Sequence, residues 1–409
     1  MQRRQLIQAF SSLTASALLA AHAPGWAQGV RQRAASVADR MLILVELKGG
    51  NDGLNTVVPF VDPTYYQLRP SLALKPEEVL PLDERTGLHP ALQPLLPLWA
   101  QGQLGIVQGV GYPEPNLSHF RSIEIWQTAS KATEYLPDGW AARGMRAGFA
   151  TKGHFTSEGV LIGGSEPGAL LGARAVSLNN PEAFVNQSRF AQGSDPALAA
   201  RSLNNPALHN LLKVEGDINA AATGLRAERY NFSTVFPAGA FGNSVRAAAQ
   251  VVASQAGKPT AGLGGVGGVP VITLTLGSFD THQNQLGAHA GLLKQLADGL
   301  VALQSALTEL GAWDRTLVMT FSEFGRRARQ NNSNGTDHGT AAPHFVLGGA
   351  VRGGLYGQPP DLTRLDGAQN ALYTTDFRQL YGTVARDWWG VSPEAVTRGR
   401  FEPVKFLHT

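Results

Sequence analysis

Six stretches of this chain place acids, imidazoles or a serine where chemistry is possible. They are GGNDG with Asp52, NLSHFR with Ser118, His119 and Arg121, FDTHQ with Asp280 and His282, SEFGRR with Glu323, Arg326 and Arg327, TDHG with Asp337 and His338, and the nearby His344. Carboxylates and imidazoles without thiols suit hard or borderline divalent ions: Zn, Mg, Mn or Ca. Asp52, Asp280, His282, Glu323, Asp337, His338 and His344 exceed the needs of one ion. One or two ions are therefore expected, and a pair could stabilise both attacking and leaving oxygens. Ser118 is the candidate nucleophile, favoured by the N–H groups and dipole of a helix start. His119 could donate to a substrate oxygen, and Arg121, Arg326 and Arg327 could clamp an oxyanion. Together these parts point to phosphoryl or sulfuryl transfer.

Each residue also has a plainer role. Ser118 could only cap its helix, and Asp52 could only build a turn. Asp280 could cap the helix near His282, and Glu323 could pair with Arg326 one helical turn on. Asp337 and His338 could be ordinary loop polarity, and His289 a helix-face histidine. What favours a site is their convergence at strand ends.

Those strands are legible as short apolar runs bounded by turn signals. Met41–Leu47, Leu104–Gln108, Val271–Leu276 and Thr316–Phe321 read as strands, with another beginning near Phe345–Leu347. Ser118–Thr128 reads as a helix, and leucines from Leu292 to Leu310 keep helical spacing. The strand–helix–strand order over 271–321 implies a parallel pair. Asp52, Ser118, Asp280, His282 and Glu323 then follow four strands, and open parallel sheets bind ligands beyond their carboxyl ends. The segment around 161–250 has a weaker pattern, and 254–269 is a Gly-rich surface loop.

Composition narrows the classes. The chain has 409 residues, 43% hydrophobic, with no cysteine, which excludes disulfides, thiolate zinc sites and cysteine nucleophiles. The net charge is +3, and Arg3 and Arg4 supply two of those charges, leaving +1 for residues 28–409. A near-neutral body gives no reason to expect nucleic acid. Met1–Ala27 has paired arginines, a mildly apolar small-residue stretch and a small-residue end, the layout of a twin-arginine export signal. The expected partner there is the twin-arginine machinery, and the expected location is the periplasm or beyond. No later stretch is apolar enough to span a bilayer.

The motifs LVELKGGNDGLNTVVP, NLSHFRSIEIWQT, FDTHQNQ, TFSEFGRR, NGTDHG and TDFRQLYGTVARDWWG occur in this order. With the twin-arginine start, the chain resembles the domain of unknown function 1501 family of exported bacterial proteins. That family is similar to the alkaline-phosphatase-like superfamily of phosphatases, sulfatases and phosphoglycerate mutases. The resemblance implies an α/β fold with a largely parallel central sheet flanked by helices, forming a single domain over 28–409. It implies Asp52 as the early metal-binding aspartate, Ser118 as the nucleophile, and Asp280 with His282 as a later metal pair. Glu323 falls where an Asp-His pair is usual, and Asp337, His338 or His344 would fill the last histidine position. The expected function is a metal-dependent hydrolase of small or polymeric anionic phosphate or sulfate esters. The rival expectation is a non-catalytic exported binding or assembly protein with a degenerate metal site.

Overall fold

The computed structural model describes residues 40–149, 154–155, 157–164, 166–188, 205–225, 230–255, 266–267 and 269–408. The expected export signal, Met1–Ala27, and residues 256–265 and 268 of the Gly-rich stretch lie outside the described residues. The apolar runs fold into a nine-stranded sheet. In chain order its strands are β1 (Met41–Leu47), β2 (Leu104–Gly111), β3 (Gly159–Ile162), β4 (Ala175–Leu178), β5 (Val271–Leu276), β6 (Thr316–Phe321), β7 (Ala342–Leu347), β8 (Gly354–Tyr356) and β9 (Thr375–Asp376). The spatial order is β8-β2-β7-β6-β1-β5-β3-β4, with β9 paired to the end of β2. Every pairing is parallel except those of β7, which runs antiparallel to both β6 and β2. The sheet is therefore largely parallel, as the family resemblance implies.

The strand alternation explains the layers. Met41, Ile43, Val45 and Leu47 of β1 pack into one core, with α2 (Ala240–Ala253) and α3 (Gln285–Glu309). Leu42 and Leu44 point the other way, into a second core with α1 (His119–Thr128) and α4 (Phe377–Thr383). Helices on both faces bury both sides of the strand, which is why β1 reads as a continuous apolar run rather than an alternating one. Each buried Leu, Ile or Val contributes about 1.5–3 kcal/mol.

Two expectations change here. The strands flanking α3 are parallel, but β1 lies between them and pairs with both. Within 161–250, β4 joins the main sheet and α2 packs in the same core as α3.

Gly49 and Gly50 end β1 at φ +119° and +80°. A Cβ on Gly49 would lie 2.5 Å from the Asp280 amide nitrogen, and one on Gly50 would lie 2.5 Å from the Phe324 ring. Only glycine meets both the dihedral and the space. The pair lets the segments after β5 and β6 close over the end of β1.

Candidate functional site

The turn after β5 carries Asp280 and His282. Ser278 (φ +78°) and Asn284 (φ +46°) flank it in the left-handed region, which non-glycine residues seldom adopt and which recurs at functional sites. The long segment 322–341 leaves β6 and returns to start the antiparallel β7. Its two legs pair across a bridge between Arg326 and His338. It is also tied to the β5 turn: Asn331 donates to the His282 carbonyl at 2.9 Å, and the Thr336 amide to the Thr281 carbonyl at 3.2 Å. Asp280, His282 and His338 are thereby fixed side by side, and the first residue of α1, His119, faces them.

Three imidazoles meet one carboxylate. The Nε2 atoms of His282 and His338 lie 3.0 and 3.1 Å from Asp280 Oδ1, and His119 Nε2 lies 3.5 Å from Oδ2. His282 Nε2 and His338 Nε2 are 3.0 Å apart. The opposite ring nitrogens all have acceptors. His338 Nδ1 donates to the Leu117 carbonyl at 2.8 Å, and His119 Nδ1 to Glu323 Oε1 at 2.8 Å; His282 Nδ1 faces Asp337 Oδ1 at 3.4 Å. A neutral ring whose Nδ1–H is so engaged carries its lone pair on Nε2. In that tautomer three Nε2 lone pairs would face one carboxylate, an arrangement a cation or a proton relieves. An outer acceptor on each Nδ1 is the usual support of metal-binding histidines. The donor set therefore fits a divalent metal, and its nitrogen content suits Zn better than Mg or Ca. Phe324 packs against the rings of His119 and His338 at 4.9 and 4.6 Å between centroids.

Asp280 is anchored by Arg326, whose Nη2 donates to Oδ1 at 2.6 Å. Burial works against its charge, but the Arg326 hydrogen bond and charge, with His338 and His282, outweigh that and hold its pKa at about 2. Arg326 itself has no accessible side-chain surface. Its guanidinium also donates to the carbonyls of Gly49, Gly50, Phe279 and Thr336. The expectation that Arg326 clamps a substrate anion is corrected: it pins three segments beneath the cluster. Arg121 likewise donates to the carbonyls of Lys131, Ala132 and Glu134.

The remaining sequence candidates divide. Glu323 and Asp337 reach the cluster through His119 and His282, not through the converging Nε2 atoms. Glu323 also accepts from the Gly49 amide at 2.8 Å. His119 has both ring nitrogens committed and so is not a free donor. Ser118 is exposed at the start of α1, and its side chain makes no capping bond. It lies between Leu117 and His119, both of which touch the cluster. His344 is displaced: it is buried within β7 against Trp126, with neither ring nitrogen hydrogen-bonded, and burial lowers its pKa to about 3.

Asp52 is displaced too. It is 1% exposed, and its Oδ2 accepts from Arg69 at 2.6 Å and from Gln285. Burial disfavours its charge, yet Arg69, His289 and Gln285 together hold its pKa below the usual carboxylate range. His289 does lie on a helix face, that of α3, and there it is buried and bonded to Asn51 at 3.0 Å. Sequence reasoning missed Arg69 and Gln285, which carry no motif, and missed His119 as a member of this donor cluster, although its place beside Ser118 was a usable signal.

No curated protein matches the chain. Among solved structures, the phosphonate monoester hydrolase SpPMH from Silicibacter pomeroyi is similar at 11% identity and a TM-score of 0.42, covering 88% of this chain and 76% of that one. A protein in the alkaline phosphatase superfamily from Vibrio parahaemolyticus is similar at 9% identity and a TM-score of 0.36, covering 87% and 68%. The alkaline phosphatase from the Antarctic bacterium TAB5 is similar at 11% identity and a TM-score of 0.30, covering 78% and 94%. Residues 266–398, which carry Asp280, His282, Glu323, Arg326, Asp337 and His338, match the family described as "Protein of unknown function (DUF1501)".

Proposed function

We propose that this chain is an exported, metal-dependent hydrolase of phosphate or sulfate esters. The observation that carries the reading is the convergence of three Nε2 atoms on Asp280, each ring steadied from behind by an acceptor. His119, His282, His338 and Asp280 would hold one divalent ion. Such an ion neutralises developing charge and lowers the pKa of a bound oxygen. Glu323 and Asp337 orient the imidazoles, and Arg326 keeps Asp280 ionised.

Ser118 is the proposed nucleophile. Its uncapped hydroxyl leaves the first N–H groups of α1 available to an anionic group. Its oxygen would form a bond to phosphorus or sulfur as the ester oxygen leaves, and water would then cleave the serine ester. The ester class follows from the motif resemblance. The paired Arg3 and Arg4 support twin-arginine export to the periplasm, and among the described residues no helix is long and apolar enough to cross a membrane.

The test is metal analysis of the purified chain with a panel of phosphate and sulfate esters, on wild type and Ser118→Ala. About one equivalent of metal and loss of turnover in Ser118→Ala are expected. A metal-free protein whose ester hydrolysis is unchanged by Ser118→Ala would sink the reading. One observation favours the rival, a binding or assembly protein with a reduced metal site: Asp52 is closed off by Arg69. A metal-loaded chain that turns over no ester would favour that rival.

A further inference from the structure

We infer that Arg69 is a resident cation at Asp52, so that among the described residues the divalent ion belongs to the His119/Asp280/His282/His338 cluster and not to Asp52. This rests on the metal reading above and sets its stoichiometry. The sequence offers Asp52 as a ligand and enough donors for two ions. The geometry divides those donors unequally.

Arg69 has no accessible side-chain surface, and each part of its guanidinium is held. Nη1 donates to Asp52 Oδ2 at 2.6 Å and to Asn55 Oδ1 at 2.8 Å. Nε donates to the Ala328 carbonyl at 2.9 Å, and Nη2 to the Arg327 carbonyl at 3.0 Å. These acceptors come from the turn after β1 and from the segment after β6. The planar fork thus acts as a fixed rivet, a role that suits arginine better than a mobile lysine. It cannot swing aside for an ion without abandoning all four acceptors.

The other oxygen, Asp52 Oδ1, is buried and has no hydrogen-bond partner. It is the one atom there with spare capacity for a cation. Two features deny it one. An arginine charge already sits on the same carboxylate, and among the described residues Asp52 joins no group of three metal-type donors, whereas His119, Asp280 and His338 do. The neighbours Gln285 and Asn51 are uncharged amides, and buried His289 stays neutral near pH 7, its pKa lowered to about 4 by burial. Remove Arg69, and Asp52 becomes a buried carboxylate in need of a cation.

Zn²⁺, Mg²⁺ and Ca²⁺ titrations test this on the full chain, read by calorimetry and by thermal unfolding. Wild type and Asp52→Asn should each bind one equivalent, with dissociation constants within about threefold, while Asp280→Asn should bind none. Arg69→Ala should gain a second equivalent, or a metal-dependent rise in Tm or refolding yield, that disappears in Arg69→Ala/Asp52→Asn. Two equivalents in wild type, one of them lost in Asp52→Asn, would overturn the inference. So would identical metal responses in Arg69→Ala and the double variant. A wild type that binds nothing would instead remove the metal reading itself, and the Arg69→Ala arm would still decide what Arg69 does.

Discussion

Asp52 and Asp280 follow β1 and β5, adjacent parallel strands, and each meets an arginine at 2.6 Å. Beyond that they differ. Asp280 is 44% exposed and faces three imidazoles. Asp52 is 1% exposed and faces a guanidinium and an amide. Arg326 grips Asp280 from below and leaves its outer side open, whereas Arg69 lies in the plane of closure around Asp52. The same residue type at equivalent strand ends is thus the proposed ion ligand in one place and a structural anion in the other. What decides is whether the remaining neighbours offer lone pairs or protons.

The sharpest way to break the comparison is to remove Asp280. Asp280→Ala should abolish stoichiometric metal binding in calorimetry, a loss beyond the 10–100-fold typical of an outer-shell change; the fold should remain by circular dichroism. Retained binding would mean the two carboxylates had been assigned the wrong way round. On the other side, Arg69→Ala leaves a buried carboxylate unpaired. It should cost about 3–5 kcal/mol in urea unfolding, and a cost under about 1 kcal/mol would show that Asp52 has another partner.

Glu323 tests the outer shell. Glu323→Ala frees the His119 ring and should weaken metal binding by about 10–100-fold. Asp337→Ala should do less, because its contact with His282 is 3.4 Å and open to solvent.

The smallest expected effect concerns the buried histidines. His344 takes up a proton near pH 3 when folded and near 6.5 when unfolded. As pH falls from 6.5 towards 3, the unfolded chain therefore binds the extra proton and stability declines. His89 and His289, lowered to about 4 by burial, act in the same direction. Each contributes at most about 1.4 kcal/mol per pH unit. His344→Phe should flatten the fall of Tm between pH 6 and 4, and an unchanged slope would place His344 in solvent.

Much of the frame was readable from the chain. The bounds of β1, β5 and β6 follow from apolar runs ended by glycine or polar turns, because strands buried on both faces leave no polar position to blur them. Helix α3 starts at Gln285, close to the start near His282 read from the sequence and two turns ahead of the leucine stripe. The apolar run places the start of β7 near Phe345 rather than at Ala342, because Pro343 obscures it. That proline falls where the β7–β2 register shifts, between Ala342 and His344, a position that tolerates a missing N–H. The strands β3 and β4 have four residues each and too little pattern to find. The cluster's members were visible as residue types at strand ends. Their ranks were not, since Glu323 as a support and Asp52 as an ion-pair partner depend on Arg69 and on imidazole orientation, which no local spacing encodes.

The position of β1 has a consequence for how the chain comes to be folded. This central strand is made first, at residues 41–47, yet its two partners are residues 271–276 and 316–321. At roughly 5–20 residues per second, an apolar strand would emerge on the order of 10–60 s before either neighbour existed to cover it. Pairings so distant in sequence are slow to form once the chain is complete. The cluster of imidazoles around Asp280, built on the segments after β5 and β6, can assemble only after that closure. Newly made chains should therefore pass through a period of dependence on a holding chaperone, and the ability to bind metal should mark the completion of folding.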